Sequence, residues 1–349
     1  MSPISICIIA KNEESHIEEC LKRLVPYHFE IIVVDTGSTD RTVELSKKYT
    51  EHIYHFDWVD DFSAARNFSI SKASYDWILV VDCDEYLTKL DLAEINKIIL
   101  DKQKPLGFIY RIEMFENGNP KTIPVDRLFN RKIYHYTGRI HEQITPINGV
   151  NTPFIQMQTF FEHFGYYNHD MLAEKFDRYI PLLQMELDEK GPNPYIFFQM
   201  GKSYYSMNRF EEAYEQFSKA LAMDIDEHEY YLMNMVEVFG ECLLKLNRYE
   251  EALGLEGVYD TFKGHADFLY LMGRIYVRNC MFDRAIDMFQ EASKTESHTQ
   301  EGVNSYLPYY SLGTIFEVQG DLTSAKKYYQ LCGSQYLPAL ERLNALSGK

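Results

Sequence analysis

Trp77-Ile78-Leu79-Val80-Val81-Asp82-Cys83-Asp84-Glu85 opens with five apolar residues and closes on acid. A run of that length and β-branched content reads as a strand buried on both faces, as in a parallel sheet. Its polar end marks where the strand leaves the core. If that end stays extended, alternate residues share a face, so Asp82 and Asp84 point together and Cys83 turns aside. Two hard oxygen ligands on one short segment suit Mg²⁺ or Mn²⁺, with substrate phosphates completing the shell. A pair of solvated loop-end aspartates would have the same local signature.

The stretches before it share this design. Ile4–Ala10 and Glu30–Asp35 are continuous apolar strands, and Ile53–Phe56 is a short third. Between them, Glu13–Leu24 carries Ile17, Cys20, Leu21 and Leu24 on one helical face. A second helix is expected from Ser38-Thr39-Asp40 to about Tyr49, with Ser38 as its cap, and a third over Phe62–Lys72. This alternation predicts a doubly wound sheet with ligands at the C-terminal ends of its strands. Later strands, Gly107–Glu116, Arg127–Tyr136 and Ile155–Phe164, have few helices between them and predict a mixed sheet.

Beyond Gly165 strand patterning stops. A helix over Asp170–Lys190 ends at Gly191-Pro192-Asn193-Pro194. A repeat follows: Gly201, Gly240, Gly273 and Gly313 each stand twelve residues before Ala213, Ala252, Ala285 and Ala325. Small residues at matched positions of two helices let their backbones approach, while large neighbours fill the remaining space. The glycine spacings of 39, 33 and 40 predict longer helices or loops after the first and third copies. The expected organisation is an α/β domain over 1–165, a linker helix over 166–192, and about four helical hairpins over 193–349.

Bulk properties narrow the function. The 349 residues carry 52 acidic and 35 basic side chains, a formal charge of −17, which repels nucleic-acid phosphates and argues against a nucleic-acid partner. An anionic nucleotide would then need a cation or placed arginines, and Arg111, Arg127, Arg131 and Arg139 are candidates, surface pairing being the alternative. The aromatic content of 15% fits helix-pair packing, or a sugar or peptide groove. The apolar runs are too short to span a bilayer. Six scattered cysteines and a strand almost at Met1, with no basic leader before it, predict reduced thiols in a cytoplasmic protein.

Two further segments join the Asp82–Asp84 pair at strand ends. IAKNEE (residues 9–14) and VVDTGSTDRT (33–42) both contain turn formers that expose backbone N–H groups. With DDFSAARN (60–67) and WILVVDCDE (77–85), residues 4–85 resemble a family 2 glycosyltransferase with the GT-A fold. The resemblance implies that Ala10, Asn12, Glu13, Asp35 and Ser38 hold the nucleoside and that Arg66 reaches the nucleotide. It implies that Asp82 and Asp84 form the diphosphate–metal motif, with Asp84 the direct ligand and Cys83 counted among the donor-binding residues. The donor so implied is a UDP-sugar, the cofactor Mn²⁺ or Mg²⁺, and the stereochemistry inverting.

An inverting transfer needs a base opposite the departing nucleotide. Gly138-Arg139-Ile140-His141-Glu142-Gln143 looks like the GxxHE segment of glycosyltransferases that carry helical repeats. It suggests Glu142 as base with His141 supporting it or reaching the diphosphate; Asp126 competes, and His141 could be an interior histidine. His163, in Glu162-His163-Phe164-Gly165, is a candidate third metal ligand or a packing residue. The repeat pattern resembles the tetratricopeptide repeat, and the whole arrangement resembles sublancin-type bacterial peptide S-glycosyltransferases. That implies a peptide or protein acceptor recruited by the repeats, which could also mediate a homodimer. Alternatives are a glycan or lipid-linked acceptor, or an interaction scaffold with an inactive transferase domain. A nucleotidyltransferase is disfavoured because no glycine-rich, lysine-bearing phosphate loop follows the first strand.

Overall fold

A computed structural model describes residues 3–114, 121–165, 169–227, 229, 231–334 and 336–347, with backbone alone for 121 and 169–177. Phe115 and Glu116, the end of one expected strand, and 166–168 of the expected linker lie outside the described residues. The chain divides into two units, Met1–Gly191 and Pro192–Lys349.

The first unit runs β1 (Ile4–Ala10), α1 (Ile17–Leu24), β2 (Glu30–Asp35), α2 (Thr42–Ser46), β3 (Ile53–His55), α3 (Phe62–Ser71) and β4 (Trp77–Val80). It continues through β5 (Glu85–Lys89), α4 (Leu92–Leu100), β6 (Leu106–Glu113), β7 (Lys121–Asn130), β8 (Tyr134–Thr137), β9 (Gln143–Pro146), β10 (Phe154–His163) and α5 (His169–Lys190). Eight strands form one sheet in the order β3-β2-β1-β4-β7-β6-β10-β5. β3, β2, β1 and β4 are parallel neighbours; β7 is antiparallel to β4 and β6, and β10 is parallel to β6 but antiparallel to β5. The mixed sheet is therefore as the sequence predicts.

The apolar runs of β1 and β2 follow from burial on both faces. Ile4, Ile6 and Ile8 join the cluster that contains Ile17, Cys20, Leu21 and Leu24 of α1. Cys7, Ile32, Val34, Ile78 and Val80 form another with Ile70 of α3.

Several boundaries differ from expectation, each for a local reason. Residues 13–16 make a turn before α1, with Ile17 N donating to Glu13 O at 2.9 Å. Asp40, not Ser38, supports the start of α2: its Oδ1 accepts from Thr42 N at 2.9 Å and from Thr42 Oγ1. The span Arg127–Tyr136 is not one strand. Asn130 Oδ1 accepts from Lys132 N at 3.0 Å, an Asn turn that sends β8 into a separate two-stranded sheet with β9. The expected linker helix, where described, belongs to the first unit. Asp82-Cys83-Asp84 does not stay extended; Glu85 N donates to Asp82 O at 3.1 Å, closing a turn that parts the two carboxylates.

The second unit consists of paired helices: α6 (Pro194–Ser206) with α7 (Phe210–Leu221), and α8 (Leu232–Lys245) with the short α9 (Tyr249–Ala252) and α10 (Tyr259–Phe262). Then come α11 (Ala266–Arg278) with α12 (Phe282–Ala292), α13 (Tyr306–Val318) with α14 (Leu322–Leu331), and a closing α15 (Leu337–Ser347). The four repeat alanines are completely buried. A Cβ on Gly201 would come within 2.5 Å of the Phe217 ring, on Gly273 within 2.5 Å of Phe289, and on Gly313 within 2.6 Å of Tyr329. Each glycine thus leaves room for a ring sixteen residues on. Gly240 departs from the rule, meeting Leu271 and Leu255 instead. The wide spacings fall in loops, the described residues between Leu221 and Leu232 and residues 293–305. The second is pinned by buried Asp267, which accepts from Thr299 N and Gln300 N, both at 2.8 Å. Among the described residues no helix is long and apolar enough to cross a membrane.

Candidate functional site

The C-terminal ends of β1 and β4 open on a cavity in the first unit. It is lined from those ends by Ala10, Lys11, Glu13, Asp82, Cys83 and Asp84, and from the mixed half of the sheet by Arg111 and His163. Trp58 lines it from the segment leading into α3, Phe62 and Arg66 from α3 itself, Ile140, His141 and Glu142 from the turn between β8 and β9, and Arg178 and Tyr179 from α5.

The two loops at the ends of β1 and β2 are locked together. Asn12, held at φ +55°, donates its N–H to Ser38 Oγ at 3.0 Å and accepts from Thr39 N at 2.8 Å. Glu13 N donates to Thr42 Oγ1 at 2.7 Å. Buried Asp35 accepts from Ser38 N at 3.0 Å and Gly37 N at 3.2 Å, which fixes the turn after β2. Asn12, Asp35 and Ser38 shape this loop pair but do not line the cavity itself.

Behind the cavity runs a chain of alternating charges. Arg66 Nε donates to Glu142 Oε1, and Arg66 Nη2 to Asp82 Oδ1 at 2.8 Å. Arg127 Nη2 reaches Asp82 Oδ2 at 2.7 Å and also pairs with Glu85. Glu85 lies 3.6 Å from Arg111 Nη1, and Arg111 Nη2 is 2.7 Å from Glu113. Glu113 accepts from His163 Nδ1, and His163 Nε2 stands 3.3 Å from Asp84 Oδ2. Arg66, Glu85, Glu113, Arg127 and His163 are all buried, so each needs these partners.

The electrostatics follow from this order. Burial alone would raise the Asp82 carboxyl, but the Arg127 and Arg66 guanidinium groups hold it well below the usual carboxylate range. Burial lowers His163, and hydrogen bonds with Asp84 and Glu113 outweigh it, bringing the imidazole up to about 9. Arg66 Nη1 is a buried donor with no hydrogen-bond partner among the described residues. The next residue, Asn67, bolts α3 to β8: its Nδ2 donates to Tyr136 O at 2.9 Å and its Oδ1 accepts from Tyr136 N at 3.0 Å.

Of the residues singled out from sequence, Ala10, Glu13, Arg66, Asp82, Cys83, Asp84, Arg111, His141, Glu142 and His163 come together. Cys83 meets the cavity with its thiol turned away, donating to Ile9 O at 3.4 Å. Asp126 is not among them. It is an exposed residue of β7, and alternation along the strand sends it to the face opposite Arg127. Asp82 is occupied by two arginines, and among the described residues no three His, Cys, Asp or Glu side chains converge as a metal cluster. Arg131 caps the C-terminal end of α3 through the carbonyls of Ile70 and Ala73 and does not enter the site.

Sequence reading missed Glu113, Gly165 and the α5 wall. Gly165 matters because a Cβ there would fall inside contact distance of both Asp84 Oδ2 and His163 Nε2, so its absence keeps that pair open. Only the alternation of Arg111 and Glu113 along β6 could have hinted that both face the site.

Residues 5–165 match Glycosyl transferase family 2, and residues 194–224 match a Tetratricopeptide repeat. A TPR repeat-containing protein of Synechococcus elongatus is 37% identical over 145 residues, covering 41% of this chain and 36% of that protein. The SPbeta prophage-derived glycosyltransferase SunS of Bacillus subtilis is 29% identical over 236 residues, covering 63% of this chain and 54% of SunS. This chain therefore spans about a third to a half of the length of these relatives. A crystal structure of MamA matches 52% of this chain and 99% of its own, at 20% identity and a TM-score of 0.40. Residues 5–165 of the N-terminal unit thus carry a family 2 glycosyl transferase domain, and the C-terminal unit of paired helices contains a tetratricopeptide repeat at residues 194–224.

Proposed function

We propose that the first unit is an inverting, metal-dependent glycosyltransferase that moves a sugar from a UDP-sugar to a peptide or protein side chain recruited by the repeats. The observation that carries this reading is the open Asp84–His163 pair beside Gly165, in one cavity with Glu142. Two ligand atoms about 2.1 Å from one cation and at right angles lie about 3.0 Å apart. The separation of 3.3 Å between Asp84 Oδ2 and His163 Nε2 fits that arrangement. Asp84 and His163 would hold Mn²⁺ or Mg²⁺, which supplies positive charge against the departing diphosphate.

The remaining roles belong to the chain's own side chains. Lys11 and Arg111 bring positive charge to the cavity, and Arg66 Nη1 offers a buried donor to a donor-substrate oxygen. Asp35, Asn12 and Ser38 set the shape of the nucleoside loops. Glu142 is favoured over Asp126 as base because it lines the cavity and Asp126 does not. With Oε1 held by Arg66, its second oxygen takes the acceptor proton. His141 supports this turn.

Turnover of a UDP-sugar panel with Mn²⁺, Mg²⁺ or EDTA, beside an Asp84→Ala variant, tests the reading. Metal-dependent turnover that disappears in the variant is the expected result, and failure to turn over any nucleotide sugar would count against it.

A further inference from the structure

Arg139 has none of the phosphate-facing geometry that its charge suggested. It is the joint of three segments instead. Its backbone N–H donates to Glu186 Oε2 at 2.9 Å, and its guanidinium pairs with Glu189, both on α5. Nη1 donates to the carbonyl of Asp60 at 3.1 Å. Its own carbonyl accepts from Phe62 N at 2.8 Å, at the start of α3. One residue thereby ties the 56–62 segment, the 138–142 turn and the C-terminal half of α5.

These segments are the ones that present Trp58, Phe62, His141, Glu142 and Tyr179 to the cavity. The 138–142 turn is not at rest by itself. Gly138 sits at φ +98° and His141 at φ +50°, a left-handed conformation that a non-glycine residue adopts only when its surroundings over-determine it. The Tyr179 ring stands edge-on to His141 at 5.5 Å. Trp58 is held in turn by its indole N–H, which donates to Asp60 Oδ1 at 2.8 Å, on the residue whose carbonyl Arg139 holds. The Asp84–His163 pair lies on other elements and shares none of these bonds.

We propose that Arg139 is the positioning residue for the base-bearing wall of the cavity, holding Glu142 and Trp58 in register without touching the donor. Its catalytic consequence rests on the transferase reading above, whereas its structural consequence does not. Loss of the guanidinium therefore acts on the chemical step and on Trp58 mobility, and leaves the metal–nucleotide side alone.

The test uses the full chain with Arg139→Met, Arg139→Lys and Glu189→Gln. Trp77 is buried, so acrylamide quenching of tryptophan emission reports on half-buried Trp58. In Arg139→Met the quenching constant is expected to rise about twofold as the wall opens locally. Turnover of UDP-glucose, or of whichever UDP-sugar the wild type hydrolyses, is expected to lose about ten- to a hundredfold in kcat while the donor KM stays within about twofold. Mn²⁺-UDP affinity is unchanged. Arg139→Lys and Glu189→Gln fall between wild type and Arg139→Met in both readouts, and they carry the test if Arg139→Met fails to fold. Unchanged quenching overturns the proposal, as does a loss of Mn²⁺-UDP affinity equal to the loss of kcat. If the wild type turns over no UDP-sugar, the transferase reading fails, and the quenching of the three variants alone decides the role of Arg139.

Discussion

Asp84 Oδ2 and His163 Nε2 face each other at 3.3 Å from segments 79 residues apart in sequence. The pairing of β10 with β5 brings them together, with His163 in register with Glu85 and Phe164 N donating to Asp84 O at 3.1 Å. The carboxylate and imidazole are thus fixed by backbone bonds on both sides. Gly165 keeps space beside them, and since its backbone has no left-handed φ, glycine is needed there for lack of a Cβ.

Gly165→Ala is accordingly expected to fold with little change in stability and to lose Mn²⁺-dependent UDP binding by about tenfold or more, as small displacements around metal ligands do. Calorimetric titration of Mn²⁺ and UDP against the variant, with circular dichroism as a folding control, measures both halves.

Asp82 and Asp84 separate in their energetics although they share a motif. Asp82 is the common partner of Arg66 and Arg127, whose side chains are 8% and 6% exposed. Asp82→Ala leaves two buried guanidinium groups short of a partner and is expected to cost about 3 kcal/mol of stability. Asp84→Ala leaves the Asp82 pairs with Arg66 and Arg127 in place and is expected to change stability less. Denaturant melts of the two variants check the contrast.

Much of the first unit was legible because buried parallel strands and amphipathic helices write their periods into sequence. Asp82, Asp84, Arg66, Glu142 and His163 were legible as polar residues that line one cavity, but the turn at Asp82–Asp84 was not, since the pair was expected to stay extended. The division of labour between the two aspartates was not, because it depends on Arg127, brought 45 residues back by the antiparallel pairing of β7 with β4. β5 and α4 escaped notice because Glu85–Lys89 is a short edge strand and Leu92–Leu100 buries only Ile95 and Ile98. In the repeats the glycine–alanine spacing was visible. The ring that fills each gap was not, since it comes from the facing helix.

The repeats carry a turn rule that one copy breaks. Seven residues after each repeat glycine the backbone turns left-handed: Asn208 at φ +58°, Asn247 at +58°, Cys280 at +59° and Gly320 at +86°. Asparagine and glycine tolerate that region and cysteine does so poorly. Cys280→Asn is expected to raise stability by about 0.5–1 kcal/mol, seen as a higher denaturant midpoint at unchanged slope. A midpoint unchanged or lowered would show that the turn is not strained in this copy.

Acid sensitivity has a local source at Glu30. Partial burial works to raise its carboxyl, and hydrogen bonds from Ser5 Oγ, Ser74 Oγ and Ser74 N outweigh it, so the folded value lies below the ordinary one. A depressed folded value stabilises above the ordinary glutamate range and loses that contribution as the pH falls through the folded value. Glu30→Gln is therefore expected to be less stable than wild type at neutral pH, with the gap closing in acid. Thermal melts across the acid range would show a constant gap if Glu30 did not titrate in this way.

On the proposed function, this cavity binds a nucleoside diphosphate through a cation held by Asp84 and His163. Calorimetric titration of UDP into the full chain, with Mn²⁺ or with EDTA, compared with Asp84→Ala and His163→Ala, tests it most directly. Binding is expected to need Mn²⁺ and to be abolished in both variants while the fold persists. UDP binding that is indifferent to EDTA and to both substitutions would contradict it.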